Sequence, residues 1–282
     1  MTRWFVTGAG GMLGQDLVAV LAGREVTAVT RAQLDICEPS DVAAAVPGHD
    51  VVVNAAAWTD VDAAEEHEAA ATRVNGLGVE VLAAACRKAG ARLVQISTDY
   101  VFDGTAREPY TEDAPVHPRS AYGRSKAAGE AAVRSLLPDA AYVVRTSWLY
   151  GAGGPNFVRS MASLESSRDT VDVVDDQVGA PTWSMEVARA VQVLIDSDAP
   201  AGIYHATASG QTSWYGLARA VFEELGADPD RVRPTTTDKF PRPAPRPAYS
   251  VLGHQAWARA GLDPPGDWRT TLAVAASTVT GR

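Results

Sequence analysis

The first fourteen residues restrict the fold more than any other stretch of the chain. Trp4-Phe5-Val6-Thr7 is a short apolar run, and Gly8-Ala9-Gly10-Gly11-Met12-Leu13-Gly14 follows at once. Leu17, Val18, Val20 and Leu21 then recur at helical spacing. Glycines at 8, 11 and 14 allow a tight turn, close approach of backbone N–H groups to a ligand, and close packing of helix on strand. The helix N-terminus behind them favours an anion. Strand, glycine turn and helix in this order open a parallel α/β sheet that binds a dinucleotide across its strand ends. The spacing is G-x-x-G-x-x-G rather than the commoner G-x-G-x-x-G.

The alternation continues. Glu25-Val26-Thr27-Ala28-Val29-Thr30 is a second strand, and an acid near its end would hold a ribose 2′-hydroxyl. Thr30-Arg31 stands there instead, and an arginine suits a 2′-phosphate, so NADPH is the expected cofactor, with NADH left open. Asp50-Val51-Val52-Val53-Asn54 reads as a strand covered on both faces. It ends in small residues, Ala55-Ala56-Ala57, where a cofactor backbone can pass closely. A long helix is expected over residues 63–88, with Asn75 packed against a neighbouring strand. Arg92-Leu93-Val94-Gln95-Ile96-Ser97 is the fourth strand, which places Thr98 at its C-terminal end with a hydroxyl to offer a bound carbonyl. Ala141–Arg145 is the next strand. The predicted fold is therefore α/β, a Rossmann-type doubly wound parallel sheet over residues 1–155. Beyond it the alternation loosens, and residues 156–282 are expected to form a smaller α/β substrate-binding lobe packed on the first. Five prolines in 234–247 make that segment a loop, expected to wrap a substrate pocket, and Asp267 is placed to cap a last helix.

Tyr122-Gly123-Arg124-Ser125-Lys126 carries the chemistry. A tyrosine and a lysine four apart share one helix face. A fixed ammonium beside a phenol favours the phenolate, so Tyr122 is expected to have a lowered pKa and to move a proton near neutral pH. A net charge of −9 argues against a nucleic-acid surface and against anionic membranes. No apolar run is long enough to span a bilayer. Cys37 and Cys86 share no metal-binding or redox spacing, which fits a reduced, cytoplasmic setting.

In order and spacing, these motifs resemble the extended short-chain dehydrogenase/reductase superfamily, and within it the dTDP-4-dehydrorhamnose reductases and related sugar-nucleotide 4-ketoreductases. The resemblance runs over nearly the whole chain, through residues 7–14, 54–62, 97–104, 122–126, 145–148 and 176–182. Ser97-Thr98-Asp99-Tyr100-Val101-Phe102 and Asp176-Gln177-Val178-Gly179-Ala180-Pro181-Thr182 are its most specific parts. It implies a catalytic triad of Thr98, Tyr122 and Lys126. The implied cofactor contacts are Gly8, Gly10, Gly11, Met12, Leu13, Gly14, Arg31, Asp35, Ile36, Ala56 and Ala57, with Tyr122 and Lys126 again. The implied substrate contacts are Thr59, Val61, Thr98, Asp99, Tyr100, Tyr122 and Trp148.

The substrate it implies is a dTDP-linked 4-keto-6-deoxy sugar, most simply dTDP-4-dehydro-L-rhamnose or a related deoxysugar precursor, and the protein would act as a monomer or homodimer. Some members are thought to dimerise through magnesium; Asp16 lies in the right helix, the other ligands find no match, and no metal is expected. Two rival readings remain at this stage. One is a non-catalytic NADP-binding regulatory subunit, against which the intact Thr98, Tyr122 and Lys126 argue. The other is an epimerase or dehydratase of the same superfamily, but a dehydratase would want an acid pair after the threonine, and Asp99-Tyr100 lacks it.

Overall fold

A computed structural model describes all 282 residues. Five parallel strands, β1 (Arg3–Thr7), β2 (Glu25–Val29), β3 (Val51–Asn54), β4 (Arg92–Thr98) and β5 (Ala141–Thr146), form one sheet with a sixth strand, Gly202–His205. Their order across the sheet is sixth strand, β5, β4, β3, β1, β2. From β1 the chain goes outward to β2, then returns to the other side of β1 for β3. Strand direction of travel reverses there, so the crevice where α/β sheets bind ligands opens at the C-terminal ends of β1 and β3.

Side chains alternate across the sheet, and both faces are covered. Trp4, Val6, Val51, Val53 and Val94 face helix α1 (Met12–Val20) and the helix Ser184–Asp196, meeting Leu17, Val191 and Leu194. Phe5, Val52, Leu93 and Val143 point the other way, onto Val42, Leu82 and Val133 of the helices Pro39–Ala45, Gly78–Ala89 and Ala121–Leu136. A third core, with Val158, Leu217, Phe222, Leu272 and Val279, holds the remaining C-terminal elements together. The last of these, Trp268–Thr280, is capped as expected: the Asp267 carboxylate accepts from the N–H groups of Arg269 and Thr270.

Residues 156–282 share elements with the first domain, and one expectation needs correction. The helix Ser184–Asp196 packs on α1 and the strand Gly202–His205 pairs with β5, so part of 156–282 completes the first domain's sheet and core. The alternation looked looser there because only one strand of the sheet was left to place. The long helix expected over 63–88 is broken, into Val61–Glu66, Glu68–Thr72, a π-helical turn at Arg73–Leu77, and Gly78–Ala89. The wide turn swings Asn75 inward, and its hydrogen-bond partners are a loop and a helix rather than a strand. Its amide accepts from Trp58 N (2.9 Å) and donates to Trp58 O (3.0 Å) and Ser125 Oγ (2.9 Å). It thereby ties the segment after β3 to the helix that carries Tyr122. A π-turn often marks a functional position, and nothing in the apolar periodicity signals it.

Candidate active site

The glycine turn is built by two close approaches. Gly8 has φ +68°, and a Cβ there would lie 2.5 Å from Ala56 N. A Cβ on Gly14 would lie 2.1 Å from Gly8 O. Helix α1 therefore starts hard against the end of β1, and β3 passes beside the same turn. The first turn of α1 has neither a side-chain cap nor an acid, so the N–H groups around Met12, Leu13 and Gly14 are free for an anion. Gly10 is not needed for space: a Cβ would meet Thr30 Cγ2 at an ordinary 3.4 Å. Arg31 is exposed just beyond the end of β2. Asp35 accepts from Cys37 N (2.9 Å), which holds its carboxyl below the usual range. Ile36 is buried against Gly78. A dinucleotide with a 2′-phosphate fits this cradle.

Thr98, Tyr122 and Lys126, the residues expected to react, lie around the C-terminal end of β4. The helix Ala121–Leu136 is capped by Ser120, whose Oγ accepts from Gly123 N (3.0 Å). A Cβ on Gly123 would come within 2.2 Å of Tyr100 O, so only glycine lets this helix sit on the turn after Thr98. Tyr122 lies edge-on to Tyr100, with ring centroids 5.6 Å apart, and its phenol is close enough to Thr98 to feel that hydroxyl. Lys126 is buried and donates from Nζ to Ile96 O (2.6 Å). Burial pushes it down to about 8, opposed by the carboxylate of Glu130 one turn along.

The expected lowering of the Tyr122 pKa does not occur here. Burial first, then the charge of Asp99, raises it above the ordinary phenol value, with the nearby Thr98 hydroxyl opposing. The Lys126 head group is drawn to the Ile96 carbonyl (2.6 Å). Tyr122 therefore keeps its proton at neutral pH, which suits a donor rather than a base.

Thr98 has one hydroxyl proton, and it goes to Asp99 Oδ1 (2.9 Å) while Thr98 Oγ1 accepts from Tyr100 N (3.2 Å). To donate to a substrate oxygen, that hydroxyl must turn away from Asp99. Asp99 is itself buried and pushed up to about 6 by desolvation.

The pH dependence follows from Lys126. Below about 8 its ammonium is charged and available to a ribose hydroxyl; above that it becomes a neutral amine. Catalytic efficiency, which reports the free enzyme, is expected to fall as pH rises through that value. A steady-state profile that stays level through that range would show that the charge on Lys126 is not used.

The other sequence-predicted positions surround this centre. Ala56 and Ala57 are half-buried beside the glycine turn, and Thr59 and Val61 follow them, exposed and half-buried. The helix at Val61 is capped by Asp60, which accepts from Ala63 N (2.9 Å). Pro245, Arg246 and Pro247 of the proline-rich loop line a small cleft with Tyr100, Arg119 and Ser120. The loop is pinned by Arg246 Nη2 to Asp62 Oδ2 (2.8 Å). Trp148 sits two residues beyond Thr146, the partner of Thr98 across β4 and β5.

Sequence reasoning missed the support beneath these groups. Thr7 Oγ1 donates to Asn54 Oδ1 (2.6 Å), and Asn54 Nδ2 to Gln95 Oε1 (2.8 Å), a buried chain across β1, β3 and β4. Glu130 takes both Arg145 Nε (2.9 Å) and Nη2 (2.7 Å) and also Ser97 Oγ (2.6 Å), all buried. The only sequence signals were a glutamate four residues after Lys126 and an arginine inside an apolar strand. No group of three or more His, Cys, Asp or Glu side chains is placed to hold a metal. Asp16 instead accepts from Ser184 Oγ (2.5 Å).

Residues 2–280 match the family described as the RmlD substrate binding domain. The chain belongs to that family. A dTDP-4-keto-6-deoxy-D-glucose reductase of Streptomyces niveus is 53% identical over 274 residues, 96% of this chain and 95% of the relative. A dTDP-4-dehydrorhamnose reductase of Streptomyces griseus is 53% identical over 288 residues, 99% of this chain and 95% of the relative. Among solved structures, the Bacillus anthracis dTDP-4-dehydrorhamnose reductase in complex with NADP is similar, with a TM-score of 0.94 and 35% identity over 98% of this chain and 99% of that one.

Proposed function

We propose that this member of the family is an NADPH-dependent reductase of the C4 ketone of a dTDP-linked 4-keto-6-deoxy sugar, with dTDP-4-dehydro-L-rhamnose or a close relative as substrate. One observation supports the reading: Thr98, Tyr122 and Lys126 lie around the C-terminal end of β4, in the same sheet as the glycine turn, in a chain 53% identical to reductases with this name. Those names favour a reductase over a regulatory subunit or an epimerase or dehydratase. Residues 1–155 supply the cofactor cradle and the reacting groups, and 156–282 supply the face that closes on the sugar nucleotide. No helix is long and apolar enough to cross a membrane, and buried free thiols at Cys37 and Cys86 suit action in the cytoplasm.

NADPH, when bound, supplies the hydride. Tyr122, which keeps its proton at neutral pH, gives it to the oxygen at C4 as charge develops there. The Thr98 hydroxyl turns from Asp99 to the same oxygen, and the Lys126 ammonium holds a ribose hydroxyl. Val61, Thr59, Tyr100 and Trp148 line the sugar's side of the crevice, while the uncapped start of α1 receives the pyrophosphate. Purified protein mixed with NADPH and dTDP-4-dehydro-L-rhamnose should consume the nicotinamide absorbance and yield dTDP-L-rhamnose by NMR. Unchanged absorbance with this ketone and its 4-keto relatives would refute the reading.

Arg31 sets the cofactor preference. Arg31→Ala is expected to raise KM for NADPH about tenfold, the size of one charge-assisted hydrogen bond to a phosphate, and to leave KM for NADH unchanged. Equal effects on both cofactors would show that Arg31 does not meet the 2′-phosphate.

A further inference from the structure

Trp148 is held in an unusual way. Its φ is +46°, one of two non-glycine residues in the chain with positive φ, and a left-handed backbone is rare for a bulky side chain. Such strain persists only where the surroundings over-determine it, and it concentrates at ligand sites. Here three neighbours hold it. Trp214 lies flat on the Trp148 indole, with centroids 3.6 Å apart and planes 6° from parallel. Another part of the ring is seated on Gly179, where a Cβ would stand 2.5 Å from Trp148 Cε2. Thr182 N donates to Trp148 O (3.2 Å).

Trp214 is itself fixed. It opens the helix Trp214–Glu224, whose cap Ser213 accepts from Gly216 N (3.0 Å). Its indole donates from Nε1 to Gln177 Oε1 (3.1 Å), and Gln177 Nε2 donates to Thr237 Oγ1 (2.9 Å). Phe157 packs against it from another element, with centroids 4.6 Å apart. The segment Asp176–Thr182, with no reacting group of its own, thus supplies the glycine under one indole and the amide that orients the other.

We propose that Trp214, with Gln177 and Gly179, is a positioning residue for the sugar. It fixes the Trp148 indole against Gly179, just beyond the end of β5, and so sets the shape of the site that admits the 4-keto sugar. It touches no reacting atom. The proposal rests on the reductase reading and extends it to residues outside the crevice. Face-to-face stacking of two indoles has a modest free energy, so the loss of order at Trp148 should weaken sugar binding rather than abolish turnover.

Wild-type turnover of a dTDP-4-keto-6-deoxy sugar is measured first; an inactive wild type overturns the reductase reading and this proposal with it. Given an active wild type, Trp214→Leu is expected to raise KM for the sugar nucleotide about three- to tenfold. kcat and KM for NADPH should stay near their wild-type values, and the exciton couplet of the stacked indoles should vanish from the circular dichroism spectrum. Trp214→Phe should restore most of the KM. If Trp214→Leu does not fold, Gln177→Ala, which frees the Trp214 indole nitrogen, should weaken the couplet and raise the same KM. Loss of the couplet with an unchanged sugar KM overturns the proposal and leaves the reductase reading standing. An equal loss in the KM of both substrates also overturns it, because that is the mark of general structural damage.

Discussion

Tyr122→Phe is expected to lower turnover by a factor of ~10²–10⁴, the usual range for loss of a positioned proton donor. The ring should stay in place, because it packs edge-on against Tyr100 and the helix is anchored independently by the Ser120 cap and Gly123. NADPH affinity should therefore be unchanged in a fluorescence titration, while absorbance assays with the 4-keto sugar lose nearly all of their rate. The raised pKa of Tyr122 makes the result more telling. The phenol is protonated over the whole working range, so the variant removes a donor and nothing else. Activity within tenfold of wild type would assign the proton to another group, with a water held by Thr98 the next choice.

Glu130→Leu is expected to cost about 3–5 kcal/mol of stability, since it strands the guanidinium of Arg145 in the core without a counter-charge. Arg145 is wholly buried and Glu130 nearly so. The loss should exceed that of any exposed pair, such as Arg124 with Glu68. The double variant Glu130→Leu with Arg145→Met should recover most of the loss, because the cost is desolvation of an unpaired charge rather than absence of the bond. Denaturant unfolding of the three proteins checks this, and a double variant as unstable as the single one would contradict it. A second effect reports on the site. Glu130 opposes the depression of the Lys126 pKa, so in whichever variant folds, the fall in activity with rising pH should move to lower pH.

These two experiments probe different depths of the same sheet edge, and the sequence exposed them unequally. Tyr122 and Lys126 stand out because their spacing is local: four residues on a helix fix a shared face whatever else the chain does. Thr98 stands out because it follows a strand with a clear apolar run. Glu130 and Arg145 do not, because their meaning depends on two elements crossing, and a charged residue in an apolar strand reads as an exception until its partner is seen. Asn75 was noticed as a polar residue in need of a partner, but its π-turn and its partners Trp58 and Ser125 come from three segments brought together by folding. The pKa of Tyr122 was expected to be lowered for a related reason. Spacing shows that a lysine is on the same face; it does not show that the ammonium will be drawn to the Ile96 carbonyl.

By itself the sequence determined the elements that local chemistry dictates. The glycine turn after β1 admits only small residues beside a close backbone contact, the strands of β3 to β5 bury both faces, and the Asp267 cap starts the last helix. From these follow the parallel sheet, the dinucleotide cradle and the three residues proposed to react. Only the tertiary structure decided what those residues experience. It placed part of 156–282 in the first domain's sheet, hid an ion pair beneath the lysine, kept the proton on Tyr122 and laid Trp214 across Trp148. The physical reason is range: turns, caps and helix faces are set by neighbours within a few residues, whereas desolvation, stacking and charge depend on groups far apart in the chain and close only once it has folded.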